Sequence, residues 1–249
     1  MLLDTSGDVP SPRKSSTLAY HDGNLYLFGG NHKEKCLNDL YKYEIKSRSW
    51  SQIVVKGKSP CARDRHSLTV VNEDSLLLFG GFGNEQEFLS DLWCFDIKAK
   101  TWTLLPEQGT VPSPRYEHAA VGIGPFLVVA GGKSSKGGMS DLYVFDWAKQ
   151  IWNVPKFEED VKIDPAWGQS AVVFHNKSDF SFSLKFVFYL FVCCMLLAKY
   201  TLAFRRIILF GGWNGKVCFN DVTVIDCKQS LVVDVHFRFF FFLTLDFLF

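Results

Sequence analysis

Net charge is almost absent from this chain: 27 Lys and Arg against 26 Asp and Glu leave +1 over 249 residues. A surface so balanced carries no electrostatic footprint for nucleic acid or an anionic surface. Metal spacing is missing too. The seven cysteines are scattered, and the six histidines (His21, His32, His66, His118, His175 and His236) show no His-x3-His step and no pairing with carboxylates. No glycine-rich phosphate loop runs from a strand into a helix, and no Gly-x-Ser-x-Gly elbow occurs. No signal peptide is visible at the N-terminus, which together with the unspaced cysteines favours a reducing, cytoplasmic setting. The sequence therefore nominates no catalytic residue, no metal ligand and no cofactor.

What the chain does have is an internal repeat. Glycine pairs close four apolar runs, at Gly29-Gly30, Gly80-Gly81, Gly131-Gly132 and Gly211-Gly212, and the first two intervals between pairs are 51 residues each. An aspartate follows nine or ten residues after each pair (Asp39, Asp91, Asp141, Asp221), and a tryptophan stands eleven residues beyond the first three (Trp50, Trp102, Trp152). Leu25 to Phe28 and Leu76 to Phe79 are short apolar runs with the length of strands buried on both faces. A glycine pair after such a run permits positive φ and close backbone approach at a crowded strand end. The segment from each aspartate to the tryptophan reads as two more strands joined by a polar turn, Ile45 to Ser49 in the first repeat. A period near 50 built this way predicts four-stranded antiparallel units that bury their apolar faces only by stacking on one another.

The segments LYLFGG…CLNDLYKYEIKSRSW, LLLFGG…FLSDLWCFDIKAKTW, LVVAGG…GMSDLYVFDWAKQIW and IILFGG…CFNDVTVIDCKQSLV resemble kelch repeats, of the galactose oxidase/kelch superfamily. The resemblance implies an all-β kelch propeller with about four recognisable blades. In the fourth repeat Val232 stands in the tryptophan slot, which leaves its last strand in question. The first residues, LLDTSGDVPSPR, align without gaps on LLPEQGTVPSPR at Leu104 to Arg115, so Met1 falls just after the place of a preceding blade's tryptophan. A fragment of a larger propeller is the expectation, since propellers have about four to eight blades.

Phenylalanine marks where the pattern fails. Of 24 Phe, 13 fall between Asn176 and Arg205 or between His236 and Phe249. The third interval between glycine pairs is 80 residues, and the excess falls inside the hairpin that should begin blade four. The chain accordingly divides into kelch blades at 1–175, a hydrophobic insertion at 176–205, the remainder of the fourth repeat at 206–235 and a Phe-rich tail at 236–249. Three readings of the insertion compete: a membrane span over 186–204, a hydrophobic loop that docks on a partner, and a retained intron whose T-rich codons translate as Phe, Leu and Val. The codon argument favours the intron, and applies equally to the tail.

Each first strand is preceded by a lead-in segment carrying arginine: PSPRKSS with Arg13, CARDRHS with Arg63 and PSPRYEH with Arg115. His66 and His118 lie three residues further on, where the first repeat has Ser16; the fourth repeat has Ala166 and Gln169 at the two slots. In proteins resembling this one, such arginines often face the propeller mouth and take acidic groups of peptide partners, a role suited to the bidentate guanidinium fork. Tyr116 and Trp167 would add flat apolar surface between them. The competing structural reading has each arginine capping strand ends by bonding a neighbouring blade's carbonyls or an aspartate. The resemblance thus implies a non-catalytic interaction module for a protein or peptide partner. A kelch-fold enzyme acting on a sugar or small molecule, and an adaptor tethered to a membrane through 186–204, are the alternatives. The oxidases of the superfamily need a Tyr, a Cys-linked Tyr and two His, a set that cannot be placed here.

Overall fold

The computed structural model describes residues 4–72, 74–157, 165–174, 205–216, 222–227 and 232–239. All regular structure among them is β. In blade one the strands Thr17–His21, Asn24–Phe28, Leu40–Glu44 and Ser49–Gln52 pair antiparallel in sequence order. Blade two is built the same way from Ser67–Asn72, Ser75–Gly83, Phe88–Asp96 and Thr101–Leu104. Blade three uses Ala119–Ile123, Phe126–Ala130, Leu142–Asp146 and Ile151–Asn153. Blade four uses Ser170–Phe174, Arg205–Phe210, Val222–Cys227 and Val232–Phe239.

The last strand of blade four therefore forms with valine in the tryptophan slot, and it takes in the first residues of the Phe-rich stretch. Phe174 pairs with Arg206, so residues 175–204 connect two hydrogen-bonded neighbours. The insertion expected over 176–205 lies outside the described residues apart from Arg205, as does 240–249. No helix among the described residues is long and apolar enough to cross a membrane; the segment 186–204 is not among them.

Turn chemistry follows the sequence. The first hairpin of blade one closes through Asp22-Gly23, both with positive φ, the pairing that a two-residue hairpin turn requires. The turns before the outer strands place Arg48, Lys100 and Gln150 in the same left-handed conformation, one per repeat. Between blades, the chain leaving one outer strand pairs in parallel with the outer strand of the next. Ser6–Gly7 lies along Ser49 and Trp50, Lys56 along Thr101, Gly109 along Trp152, and Lys156–Phe157 along Val232 and Val233.

Stacking explains why the second strands are apolar without alternation. Tyr26 and Phe28 of blade one meet Leu76 and Leu78 of blade two. Leu77 and Phe79, on the other face of that strand, meet Leu127 and Val129 of blade three, and Val128 and Ala130 meet Ile207 and Leu209 of blade four. Successive side chains point to opposite faces, and both faces are covered, so every position must be apolar. The repeat tryptophans extend these seams. Trp102 packs edge-on against Phe28 of the preceding blade at 5.3 Å, and Trp152 packs at a tilt against Phe79 at 5.2 Å.

Candidate functional site at the lead-in rim

The lead-in segments and the residues after each glycine pair meet at one end of the blades. Lys14 bridges to Asn31, Asp64 pairs with Phe82, Tyr116 bridges to Lys133 and Trp167 to Trp213. The glycine pairs make this possible. Gly81, at φ 104°, donates its N–H to the Arg115 carbonyl at 2.8 Å, and a Cβ there would lie 2.7 Å from the Asp64 carbonyl oxygen. Only glycine accommodates that backbone approach.

The three arginines share one geometry. Arg63 donates from Nη1 and Nη2 to the two oxygens of Asp91 at 2.6 and 2.8 Å, from Nη1 to the Gly80 carbonyl at 3.0 Å, and from Nε to the Cys61 carbonyl at 3.1 Å. Its Nη2 also lies 3.1 Å from the Cys61 Sγ. Arg115 repeats the arrangement with Asp141, Gly131 and Ser113, and Arg13 repeats it with Asp39, Gly29 and Ser11. Arg63 and Arg115 are fully buried. All donors of these forks are engaged within the chain, so as placed they present nothing to a partner: each braces a lead-in segment to the glycine pair and aspartate of its own blade. This is the capping arrangement of the structural reading, with the carbonyl and the aspartate supplied by the arginine's own blade. Burial pushes the Asp91 carboxyl upward, but the bonds and charge of Arg63, with the Trp93 indole N–H, outweigh it and hold the group below the ordinary carboxylate range.

His66 and His118 are also interior. The Nε2 of His66 is hydrogen-bonded to Thr17 Oγ1 of blade one at 2.7 Å, and that of His118 to Ser67 Oγ of blade two at 2.8 Å. Each ring stands edge-on to a phenylalanine of the preceding blade, Phe28 and Phe79. Burial, helped by the positive charge of Arg63 and Arg115, lowers both imidazoles to about 3, so both are neutral at physiological pH. They are buried residues of the seams. Trp167 is 8% exposed, whereas Tyr116 is half-buried at the rim.

Of the residues that face outward at this rim, the sequence singled out Tyr116 but not Arg65, Lys133 or Trp213. Two positions after the slot of the brace arginine, which Ala166 fills in blade four, the backbone turns left-handed at Ser15, Arg65, Glu117 and Gly168. A chain of backbone bonds links these residues across the seams: Arg65 N–H to Ser15 O, Glu117 N–H to Arg65 O, and Gly168 N–H to Glu117 O. Arg65 keeps a third of its side chain exposed, pairs with Glu117 at 3.0 Å and lies 5.3 Å over the Tyr116 ring. Lys133 stands 4.8 Å over the Trp167 ring and 5.9 Å over Tyr116, and the 43%-exposed Trp213 packs on Trp167 at 5.3 Å. The signal was present in the alignment of the repeats, in the columns one and two places after the arginine and one place after the glycine pair, but those columns vary in residue type and announce no motif. Among the described residues no three His, Cys, Asp or Glu side chains gather as a metal set would.

Stacked four-stranded sheets, each carrying a left-handed glycine pair and, in three of them, an arginine–aspartate brace, define a β-propeller of the kelch type. Residues 1–182 match the KLHDC2/KLHL20/DRC7 Kelch-repeats domain, and the chain belongs to the kelch-repeat family. Acyl-CoA-binding domain-containing protein 5 of Arabidopsis thaliana is 32% identical over 226 residues, which cover 90% of this chain and 31% of that protein. Acyl-CoA-binding domain-containing protein 4 of the same plant is 33% identical over 154 residues, covering 61% of this chain and 23% of the relative. Kelch domain-containing protein 2 of Bos taurus is 34% identical over 116 residues, 47% of this chain and 28% of that protein. The chain thus spans less than a third of the length of each of these relatives.

Proposed function

We propose that the chain is a non-catalytic protein-interaction module that takes a peptide or a partner domain at the lead-in rim. One observation carries this reading: Arg65, Tyr116, Lys133 and Trp213, the last two joined through the buried Trp167, form a partly exposed band of cations and aromatic rings across blades two to four. Aromatic and arginine side chains of this kind supply most of the energy at protein interfaces. The band is held on rigid strands and interblade backbone bonds, so little ordering entropy is lost on binding. The buried braces supply that rigidity, which leaves Arg13, Arg63 and Arg115 as supports of the binding surface. The described cysteines Cys36, Cys61 and Cys94 are free thiols, in keeping with a cytoplasmic placement.

The test is affinity capture with the full chain, followed by measured affinity of the captured partner for a Lys133→Ala/Trp213→Ala variant. Loss of about tenfold or more with an unchanged melting temperature is expected. Equal affinity of the wild type and the variant would refute the rim as the binding surface.

A further inference from the structure

The three seams between blades meet the rim through equivalent pairs of residues, one after a glycine pair and one after a brace position. Between blades two and three the pair is Phe82 and Tyr116, whose rings are 5.6 Å apart. Between blades three and four it is Lys133 and Trp167, 4.8 Å apart. Both seams are filled by an aromatic contact. Between blades one and two the same slots hold Asn31 and Asp64, and there the seam opens into a recess of about 260 Å³.

Charge in the recess is balanced, since Lys14 and Arg65 line it together with Glu34 and Asp64. Hydrogen bonding is not balanced. Asp64 is 3% exposed, and its Oδ1 forms an ion pair with Arg65 Nη1 at 3.7 Å but has no hydrogen-bond partner, because Glu117 holds the Arg65 Nε at 3.0 Å. The Asn31 Oδ1 is also buried without a partner. Both unsatisfied atoms are acceptors, and a buried acceptor left without a donor is costly. The walls are fixed: the Cys36 N–H donates to Asn84 Oδ1 at 2.8 Å across the seam, and the Asn84 amide donates back to the Cys36 carbonyl at 3.4 Å.

We propose that this seam is a binding site for the cationic nitrogen head of a ligand, a guanidinium or an ammonium, with Asp64 and Asn31 as its acceptors. The volume suits one such head and its stem, and a carboxyl of low exposure beside an amide oxygen is the complement of an N⁺–H donor. The site goes beyond the rim reading and does not depend on it. A basic side chain of a partner and a free small amine share this chemistry.

The probes are N-acetyl-arginine amide, N-acetyl-norleucine amide as the uncharged control, and putrescine, titrated into the full chain while the side-chain amide signals of Asn31 and Asn84 are followed by NMR. Saturable shifts with the arginine amide or with putrescine, and none with norleucine, are expected; the tighter of the two identifies the source as a partner side chain or a free amine. Asp64→Asn should weaken binding by about tenfold or more. An Asn31→Phe/Asp64→Tyr variant copies the neighbouring seam, and should abolish the shifts at Asn84 while keeping the melting temperature. No shift with either cation, or the same affinity in Asp64→Asn, would overturn the proposal and leave the recess to water.

Discussion

The two seam histidines should make the stability of this protein depend on mild acid. In the folded chain His66 and His118 stay neutral down to about pH 3, whereas in the unfolded chain each takes up a proton near 6.5. A histidine with a lowered folded value leaves stability intact above about 6.5; below it the unfolded state binds protons that the folded state refuses. Stability then falls by about 1.4 kcal/mol per pH unit for each histidine. From about pH 8 to about pH 4.5 the loss is about 3 kcal/mol per ring and roughly twice that for both, a large share of the ~5–15 kcal/mol that holds a typical domain together. The window isolates the histidines, because Asp91 has a lowered value and its contribution is lost only at more acid pH, as the pH falls through that value. The assay is the urea midpoint as a function of pH, in the wild type and in His66→Gln/His118→Gln. Glutamine is what blade four carries in this slot, at Gln169, and it can still bond a hydroxyl. The double variant should lose most of the slope between pH 6.5 and 4.5. An unchanged slope would show that the buried rings do not titrate as their surroundings dictate, and would sink the argument.

The arginine braces should behave as buried ion pairs whose partners cannot be separated. Arg115→Ala leaves the Asp141 carboxyl without its fork and should cost about 3–5 kcal/mol, read from the urea midpoint; a loss under about 1 kcal/mol would show that the brace does not hold the blade. Gly81→Ala places a Cβ against the Asp64 carbonyl at positive φ and should cost at least about 1–3 kcal/mol, measured in the same way. Trp102→Ala should cost about 3–5 kcal/mol because the ring fills the seam against Phe28 and Phe95, while Trp50→Ala, whose ring is only half-buried, should cost clearly less; equal losses would contradict the seam assignment.

Sequence alone determined the blades. The 51-residue spacing of the glycine pairs, the aspartates and the tryptophans carries the strand order, because turns and strand ends impose local backbone demands that only certain residues meet, and stacking repeats those demands once per blade. Apolar runs such as Leu76 to Phe79 carry burial on both faces in their composition. Tertiary structure decided what the polar residues do. Arg13 meets Asp39 and Arg63 meets Asp91 across 26 and 28 residues, so the reading of a free fork or a satisfied brace depended on which strand lay beside which. His66 likewise reads in the sequence as a partner contact or a satisfied strand residue, and it is Thr17 and Phe28 of the neighbouring blade that close over it. The rim band and the recess are still less legible. Arg65, Lys133 and Trp213, and the pair Asn31 and Asp64, sit in columns where the repeats differ, and they come together only across seams between blades. Periodicity reports what every repeat must have in common; a site arises where one repeat departs from the others, and its meaning is set by the neighbours that folding supplies.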